Sequence, residues 1–255
     1  MAEETRVPRR TALVTGASYG IGAAISIALA RDGYDVAVSE LKPEALDETV
    51  VKIKAAGGGA VPLALDVRSQ ASIEEGMRRV LNAFGKLDLL VNNAGVPLLK
   101  PVLDVTREEW NGVMEVNLAG TFFMSQQMGK HLIGTGRRGS ILSIASTHGV
   151  VGVPNVSVYG ISKAGISQMT RMLAIEWADH GIRVNAIAPG TTETRTRAQS
   201  LSADPVRRKT LLARIPCGRF CTEEEVAGLA SYLASPQADY ITGQTLLLDG
   251  GLTAY

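Results

Sequence analysis

The sequence predicts an α/β fold: a doubly wound parallel sheet of seven strands with helices on both faces. Three observations carry this. Short, almost wholly apolar runs alternate with longer helix-length stretches from Thr11 to Leu248, as strands buried on both faces do. The first run meets a glycine-rich turn, Thr15-Gly16-Ala17-Ser18-Tyr19-Gly20-Ile21-Gly22, that opens an alanine-rich helix. Small or polar residues follow the later runs (Asn92 to Gly95, Ser146, Pro189-Gly190). That puts them at the carboxyl edge, where open sheets bind ligands.

In chain order, Thr11 to Val14 is the first strand and Ala23 to Ala30 lies in the first helix. Glycines between a strand and a helix let the backbone approach a phosphate, and the free N–H groups of the helix start face it. The spacing is G-x-x-x-G-x-G, which departs from the dinucleotide pattern G-x-G-x-x-G. Tyr34 to Ser39 is the second strand and ends at Glu40. A carboxylate about 20 residues past the glycines suits a ribose 2′-hydroxyl. It repels a 2′-phosphate by roughly 4 kcal/mol at ~4 Å and an effective dielectric of ~20. Glu40 therefore points to NAD over NADP, the alternative being a solvated loop acid.

Pro43 to Ala56 is helical, with proline in its first turn. Ala60 to Leu65 is a strand that delivers Asp66-Val67 to a position suited to gripping an adenine. Gln70 to Phe84 is a helix capped by Ser69, and Leu87 to Val91 is the fourth strand. Thr106 to His131 reads as one long helix, started by the capping box Thr106-Arg107-Glu108-Glu109. Asn117 falls in its middle, where Asn is a poor helix former, so it must be a hydrogen-bonded interior residue. Ser140 to Ala145 is the fifth strand and Ile182 to Ile187 the sixth. Residues 191–214 form a candidate substrate lid with little core periodicity. Seven basic residues lie between Glu193 and Arg219 against two acids. Such a lid reads an anionic or polyhydroxyl substrate, or is a solvated charged face. Thr222-Glu223-Glu224-Glu225 caps the last helix, and Leu246 to Leu248 is the final strand.

Composition narrows the function. At 255 residues, with 45% apolar and 20% charged residues, the chain suits one domain over 11–255. A net charge of +1 gives no reason to expect nucleic acid or an anionic membrane as partner. No stretch offers the roughly 20 apolar residues of a membrane span, and Met1 to Arg10 reads as a polar, mobile arm. Two cysteines, Cys217 and Cys221, are too few for a disulfide framework and suit the cytoplasm. They are expected to be small buried thiols, with no metal site. His131 and His180 end helices, where a protonated imidazole suits the dipole. His148, two residues past Ser146, either lines a substrate pocket or sits in a loop.

Tyr159 and Lys163 stand at i, i+4 in the helix predicted from Val158 to Ala178, on one face. An ammonium that close favours the phenolate and makes the phenol a proton shuttle; the alternative is a snorkelling surface pair.

Four motifs in order resemble the short-chain dehydrogenases/reductases of the compact type: Thr15 to Gly22, Asn92-Asn93-Ala94-Gly95, Ser146 with Tyr159-x-x-x-Lys163, and Pro189-Gly190. The resemblance covers about Thr11 to Gly251. It implies a Rossmann-like sheet and a catalytic tetrad of Asn117, Ser146, Tyr159 and Lys163. It also implies a homotetramer or dimer paired through the two long helices. Hydride moves between a nicotinamide and a carbinol carbon, and Tyr159 handles the matching proton. Lys163 lowers the phenol's pKa and holds the ribose, Ser146 binds the substrate oxygen, and Asn117 holds a water. The implied cofactor contacts are Gly16, Ser18, Tyr19, Gly20, Ile21, Gly22, Glu40, Asp66, Val67, Asn93, Ala94, Gly95, Pro189, Gly190, Thr192 and Thr194. His148 and Arg195 are the substrate candidates.

Two substrate classes compete: a sugar, polyol or other small hydroxylated metabolite, and a 3-oxoacyl thioester. Acyl-carrier-protein reductases typically use NADPH and carry an Arg where this chain has Ile175, although Arg137 and Arg138 keep part of a basic patch. A non-catalytic redox sensor on the same fold would be expected to lack Tyr159, Lys163 or Ser146, all of which are present.

Overall fold

The computed structural model describes residues 9–254. Most of the expected arm, residues 1–8, lies outside them. Its end does not behave as an arm: Arg9 pairs with Asp35 at 2.8 Å, and Arg10 opens the first strand.

Seven parallel strands form one sheet in the order β3-β2-β1-β4-β5-β6-β7. They are β1 (Arg10–Thr15), β2 (Tyr34–Glu40), β3 (Ala60–Ala64), β4 (Leu89–Asn92), β5 (Gly139–Ile144), β6 (Ile182–Pro189) and β7 (Thr245–Leu248). The helices between them are α1 (Gly20–Arg31), α2 (Asp47–Ala55), α3 (Gln70–Phe84), α4 (Arg107–Met114), α5 (Thr121–Thr135), α6 (Ser157–Glu176), α7 (Arg195–Ser202), α8 (Pro205–Leu212) and α9 (Glu223–Ala234).

Alternation along β1 shows how the sheet divides two cores. Ala12 and Val14 join Ile25 and Leu29 of α1, Ile53 of α2 and Val226 of α9. Leu13 faces the other way, to Ile73 and Met77 of α3, Met124 and Met128 of α5 and Leu173 of α6. Successive strand side chains point to opposite faces, so a near-continuous apolar strand requires helices on both. The chain winds outward from β1 to β3, then returns and winds the other way from β4 to β7. The carboxyl ends of β1 and β4 therefore diverge around a crevice.

Local signals set many of the element boundaries. Both capping boxes form: the Thr106 and Thr222 hydroxyls accept from the N–H groups of Glu109 and Glu225, whose carboxylates accept in return. Ser69 caps α3 by accepting from the Ser72 N–H.

Four expectations are corrected. The single helix from Thr106 to His131 is broken, with a π-helical segment over Glu115–Gly120 between α4 and α5. Such bulges arise where a side chain needs a backbone register the α-helix does not give, and Asn117 sits inside this one. The lid has a core of its own, because Leu201, Ile215 and Phe220 are buried together against Leu211, Leu212 and Leu252. Cys217 is exposed and Cys221 half-buried, rather than both buried. Finally, burial lowers the His131 pKa, so its imidazole is held neutral rather than as a cation at the helix end. Among the described residues no helix is long and apolar enough to cross a membrane.

Candidate active site

The crevice is a groove of about 440 Å³ along the carboxyl ends of β1, β2, β3 and β4. Gly16, Ser18, Tyr19, Gly20, Ile21, Glu40, Asp66, Val67, Asn93, Ala94, Gly95 and Thr194, all candidates from the sequence, line it. The glycines are there for geometric reasons. Gly16 has φ +63°, and a Cβ on it would lie 2.9 Å from Ala94 Cα. A Cβ on Gly22 would lie 2.5 Å from the Gly16 carbonyl oxygen. Gly22 thus keeps the turn closed and does not line the groove. The Asn93 amide Nδ2 donates to the Thr15 carbonyl at 2.9 Å and the Gly16 carbonyl at 2.7 Å. Asn93 accordingly staples β4 to the glycine turn.

No side chain caps the N-terminus of α1, and its first turn carries no acid. Its N–H groups are available to an anion, so the turn fits a dinucleotide pyrophosphate. At the far end of the groove Glu40 Oε2 accepts from the Ser18 hydroxyl at 2.8 Å, and Oε1 accepts from the Leu41 N–H at 2.9 Å. The carboxylate is oriented with lone pairs to spare. Arg68, not a sequence candidate, also lines the groove and pairs with Asp66 at 2.7 Å. Its i+2 spacing from Asp66 was the available signal. That pairing holds the Asp66 carboxyl below its usual range.

The tetrad assembles from three segments: the π-helical segment, the end of β5 and α6. Asn117 Oδ1 accepts from the Val96 N–H at 2.8 Å, and Nδ2 donates to the Val96 carbonyl at 3.0 Å and to Ser162 Oγ at 3.1 Å. The π-helical segment thereby docks onto the loop after β4 and onto α6. Lys163 is 4% exposed and its Nζ donates to the Ile144 carbonyl at 2.6 Å. Gly95 packs against both, since a Cβ there would lie 3.3 Å from Asn117 Oδ1 and 3.5 Å from Lys163 Nζ. Ser146 is buried at the end of β5. The turn that follows it presses on α6, where a Cβ at Gly149 would lie 2.7 Å from the Ala164 nitrogen. This close approach sets the Ser146 hydroxyl facing Tyr159.

One electrostatic expectation is reversed. The Tyr159 pKa is raised by burial, against the lowering effects of hydrogen bonding to Ser146 and the charge of Arg197. Lys163 does not supply the opposing pull, because its Nζ lies 5.7 Å from the ring centroid, over the ring face, and is turned to Ile144. Burial also lowers the Lys163 pKa, to about 8, leaving it largely protonated at neutral pH.

The remaining candidates separate. His148 stands edge-on to Tyr159, with ring centroids 5.9 Å apart. Arg195 is exposed, and its backbone N–H donates to the Glu223 carboxylate. Arg197, two residues further along α7, is the lid residue that reaches the phenol electrostatically, and sequence spacing missed it. Pro189 and Gly190 end β6, where the Gly190 N–H donates to the Leu248 carbonyl at 2.9 Å. Thr192 bridges to Cys221 and is buried. Gly190 lines a separate small cavity with Cys217 and Cys221.

A buried serine, a tyrosine and a lysine beside a dinucleotide groove can exchange a proton with a carbinol or carbonyl oxygen. The family model described as "Enoyl-(Acyl carrier protein) reductase" matches residues 16–253. Glucose 1-dehydrogenase 2 of Bacillus subtilis is 39% identical, with 96% of this chain and 95% of that one aligned. The chain belongs to the short-chain dehydrogenase/reductase family.

This dehydrogenase/reductase is also 38% identical to a 3-oxoacyl-(acyl-carrier-protein) reductase of Thermotoga maritima, over 97% of this chain and 99% of that one. A solved structure from Sinorhizobium meliloti, described as a short-chain alcohol dehydrogenase, superposes with a TM-score of 0.93 at 41% identity, covering 97% and 98% of the two chains. One from Agrobacterium tumefaciens, described as a 2-deoxy-d-gluconate 3-dehydrogenase, has NADP bound. It superposes with a TM-score of 0.89 at 39% identity, covering 96% and 97%. The protein is an oxidoreductase acting on alcohol or carbonyl groups.

Proposed function

We propose that this enzyme interconverts a secondary alcohol and its ketone on a sugar, polyol or other small hydroxylated metabolite, with NAD(H) preferred, in the cytoplasm. The observation that carries the reading is the convergence of Ser146, Tyr159 and Lys163 beside a groove whose far end holds an oriented carboxylate. A bound nicotinamide supplies the carbon that accepts or donates hydride and, when oxidised, a positive charge that favours a phenolate. The chain's own residues do the rest. The Tyr159 hydroxyl exchanges the proton with the substrate oxygen, as general acid–base catalysis requires. Ser146 donates to that oxygen as charge develops on it. Lys163 holds the ribose hydroxyls, and Asn117 fixes the π-helical segment that walls the lysine.

Glu40 supports NAD, because its carboxylate, oriented by Ser18 and the Leu41 N–H in the wall of the groove, would accept from ribose hydroxyls and repel a 2′-phosphate. A thioester substrate is the second reading, favoured by the similarity to the Thermotoga reductase. Against it, Ile175 is 77% exposed where carrier-protein reductases typically hold an arginine. The exposed apolar side chains Phe122, Phe123, Ile161, Met172 and Ile175 on α5 and α6 support assembly as a homotetramer through these helices.

The deciding experiment follows absorbance at 340 nm over sugars, polyols, hydroxy acids and acetoacyl thioesters, each with NAD(H) and NADP(H). NAD-dependent oxidation of small hydroxylated compounds is expected. Turnover of acetoacyl thioesters alone would replace this reading with the second. Light scattering of the purified enzyme gives the assembly state, and a monomer would refute the tetramer.

A further inference from the structure

A cavity of about 250 Å³ opens at the amino-terminal edge of the sheet, across it from the catalytic crevice. Its walls come from the starts of β1, β2, β5 and β6 and from the end of α9. Three arginines line it: Arg10, Arg138 and Arg183. Two of them are fixed by the C-terminus of α9. Arg10 Nη1 donates to the Ala234 carbonyl at 3.1 Å, and its guanidinium lies 4.3 Å over the centre of the Tyr34 ring. Arg183 Nη1 donates to the Leu233 carbonyl at 2.9 Å. The Tyr34 hydroxyl also donates to the Ala234 carbonyl, at 3.0 Å, so carbonyls that a helix end leaves unpaired are already satisfied. Each guanidinium keeps further N–H donors beyond these contacts.

Arg138 takes no part in that capping. Its side chain lies across Gly181, where a Cβ would come 2.9 Å from Cγ and 3.1 Å from Nε. Among the described residues it has no hydrogen bond or ion pair, whereas its neighbour Arg137 pairs with Asp88 at 3.1 Å. The acids at the cavity do not balance the arginines. Asp88 accepts from the Thr11 N–H at 2.9 Å and is paired by Lys86 at 3.3 Å as well as by Arg137. Asp239 lies 3.6 Å from Arg183 Nε, but its side chain is 60% exposed, so solvent screens the pair. The Arg183 side chain is only 12% exposed. Burial lowers its pKa, and the charges of Arg138 and Arg10 add to that against the pull of Asp239 and Tyr34.

A buried guanidinium among like charges is costly unless it is paired, and an anion between the three removes the cost. A planar carboxylate fills a single guanidinium fork. Guanidiniums arriving from three segments match the several acceptor oxygens and the double charge of a phosphoryl group. We propose that this cavity is a binding site for a phosphoryl dianion, inorganic phosphate or the head of a small phosphomonoester, held by Arg10, Arg138 and Arg183. The ligand ties the starts of β1, β5 and β6 to the end of α9 and so stabilises the folded chain. It binds independently of the dinucleotide groove, which opens at the opposite edge.

The test is calorimetric titration of inorganic phosphate and of glycerol 3-phosphate at about pH 8, where both are dianions. The protein is first saturated with NADH or NADPH, whichever it binds, so that the groove is filled. Acetate at matched ionic strength is the control. Saturable binding with a raised melting temperature is expected. Binding of the ester alone assigns the site to phosphomonoesters, and equal binding of both probes assigns it to the phosphoryl group as a whole. Arg138→Gln and Arg183→Gln should each weaken binding by on the order of 10-fold. Arg138→Gln breaks no hydrogen bond or ion pair of the fold. It should keep wild-type turnover and, without phosphate, the wild-type melting temperature, so it tests the site even if Arg183→Gln fails to fold. No saturable binding, an equal response to acetate, binding abolished by the nicotinamide cofactor, or an unchanged affinity in Arg138→Gln overturns the proposal.

Discussion

Replacing Lys163 by Met should make the protein more stable at neutral pH and inactive, and the gain should fade as the pH rises. The lysine is buried, its one hydrogen bond goes to the Ile144 carbonyl, and burial lowers its pKa from the ordinary 10.5 to about 8. A difference of about 2.5 units corresponds to about 3 kcal/mol at roughly 1.4 kcal/mol per unit. The sign follows from proton counting. Between the folded value of about 8 and the unfolded value of 10.5 the unfolded chain binds more protons, so stability rises with pH. The penalty is full below the folded pKa and gone above the unfolded one. Raising the pH from about 7 to about 9 should recover about 1 kcal/mol in the wild type and nothing from this group in the variant. The assay is urea unfolding of both proteins across that range at one protein concentration, comparing the stability difference. A difference that stays flat with pH would refute the assignment of a desolvated, cationic Lys163.

Four further outcomes are expected. Tyr159→Phe should lower kcat by on the order of 10²- to 10⁴-fold while NADH still binds by fluorescence; retained turnover would remove Tyr159 from the proton path. Glu40→Ala should raise the NADP-to-NAD ratio of kcat/KM, and an unchanged ratio would show that Glu40 does not select the cofactor. Asn117→Ala should leave the Val96 N–H and carbonyl unpaired and cost about 1–3 kcal/mol, read as a lower urea midpoint; an unshifted midpoint would mean that water replaces the amide. Gly149→Ala should push the turn after Ser146 away from α6, destabilising by about 1–3 kcal/mol and lowering kcat more than NADH affinity. An active variant with wild-type stability would show that the turn yields at no cost.

The sequence determined what depends on local periodicity and local chemistry. Alternating apolar strands and helix-length stretches demand a covered parallel sheet. A glycine turn between β1 and α1 demands an anion at a helix start. Thr106 with Glu109, and Thr222 with Glu225, fix two helix starts within four residues each. The order of these signals placed Ser146, Tyr159 and Lys163 at one edge, because parallel strands end on one side of the sheet. Tertiary structure decided what depends on distance and on burial. The π-helical segment around Asn117 follows from the Val96 backbone, 21 positions away, and no helical periodicity encodes it. The raised Tyr159 pKa and the lowered Lys163 pKa come from desolvation, which exists only once both cores close. Arg195 and Arg197 are equivalent cations in the sequence. They part in the fold, which leaves Arg195 exposed and Arg197 half-buried.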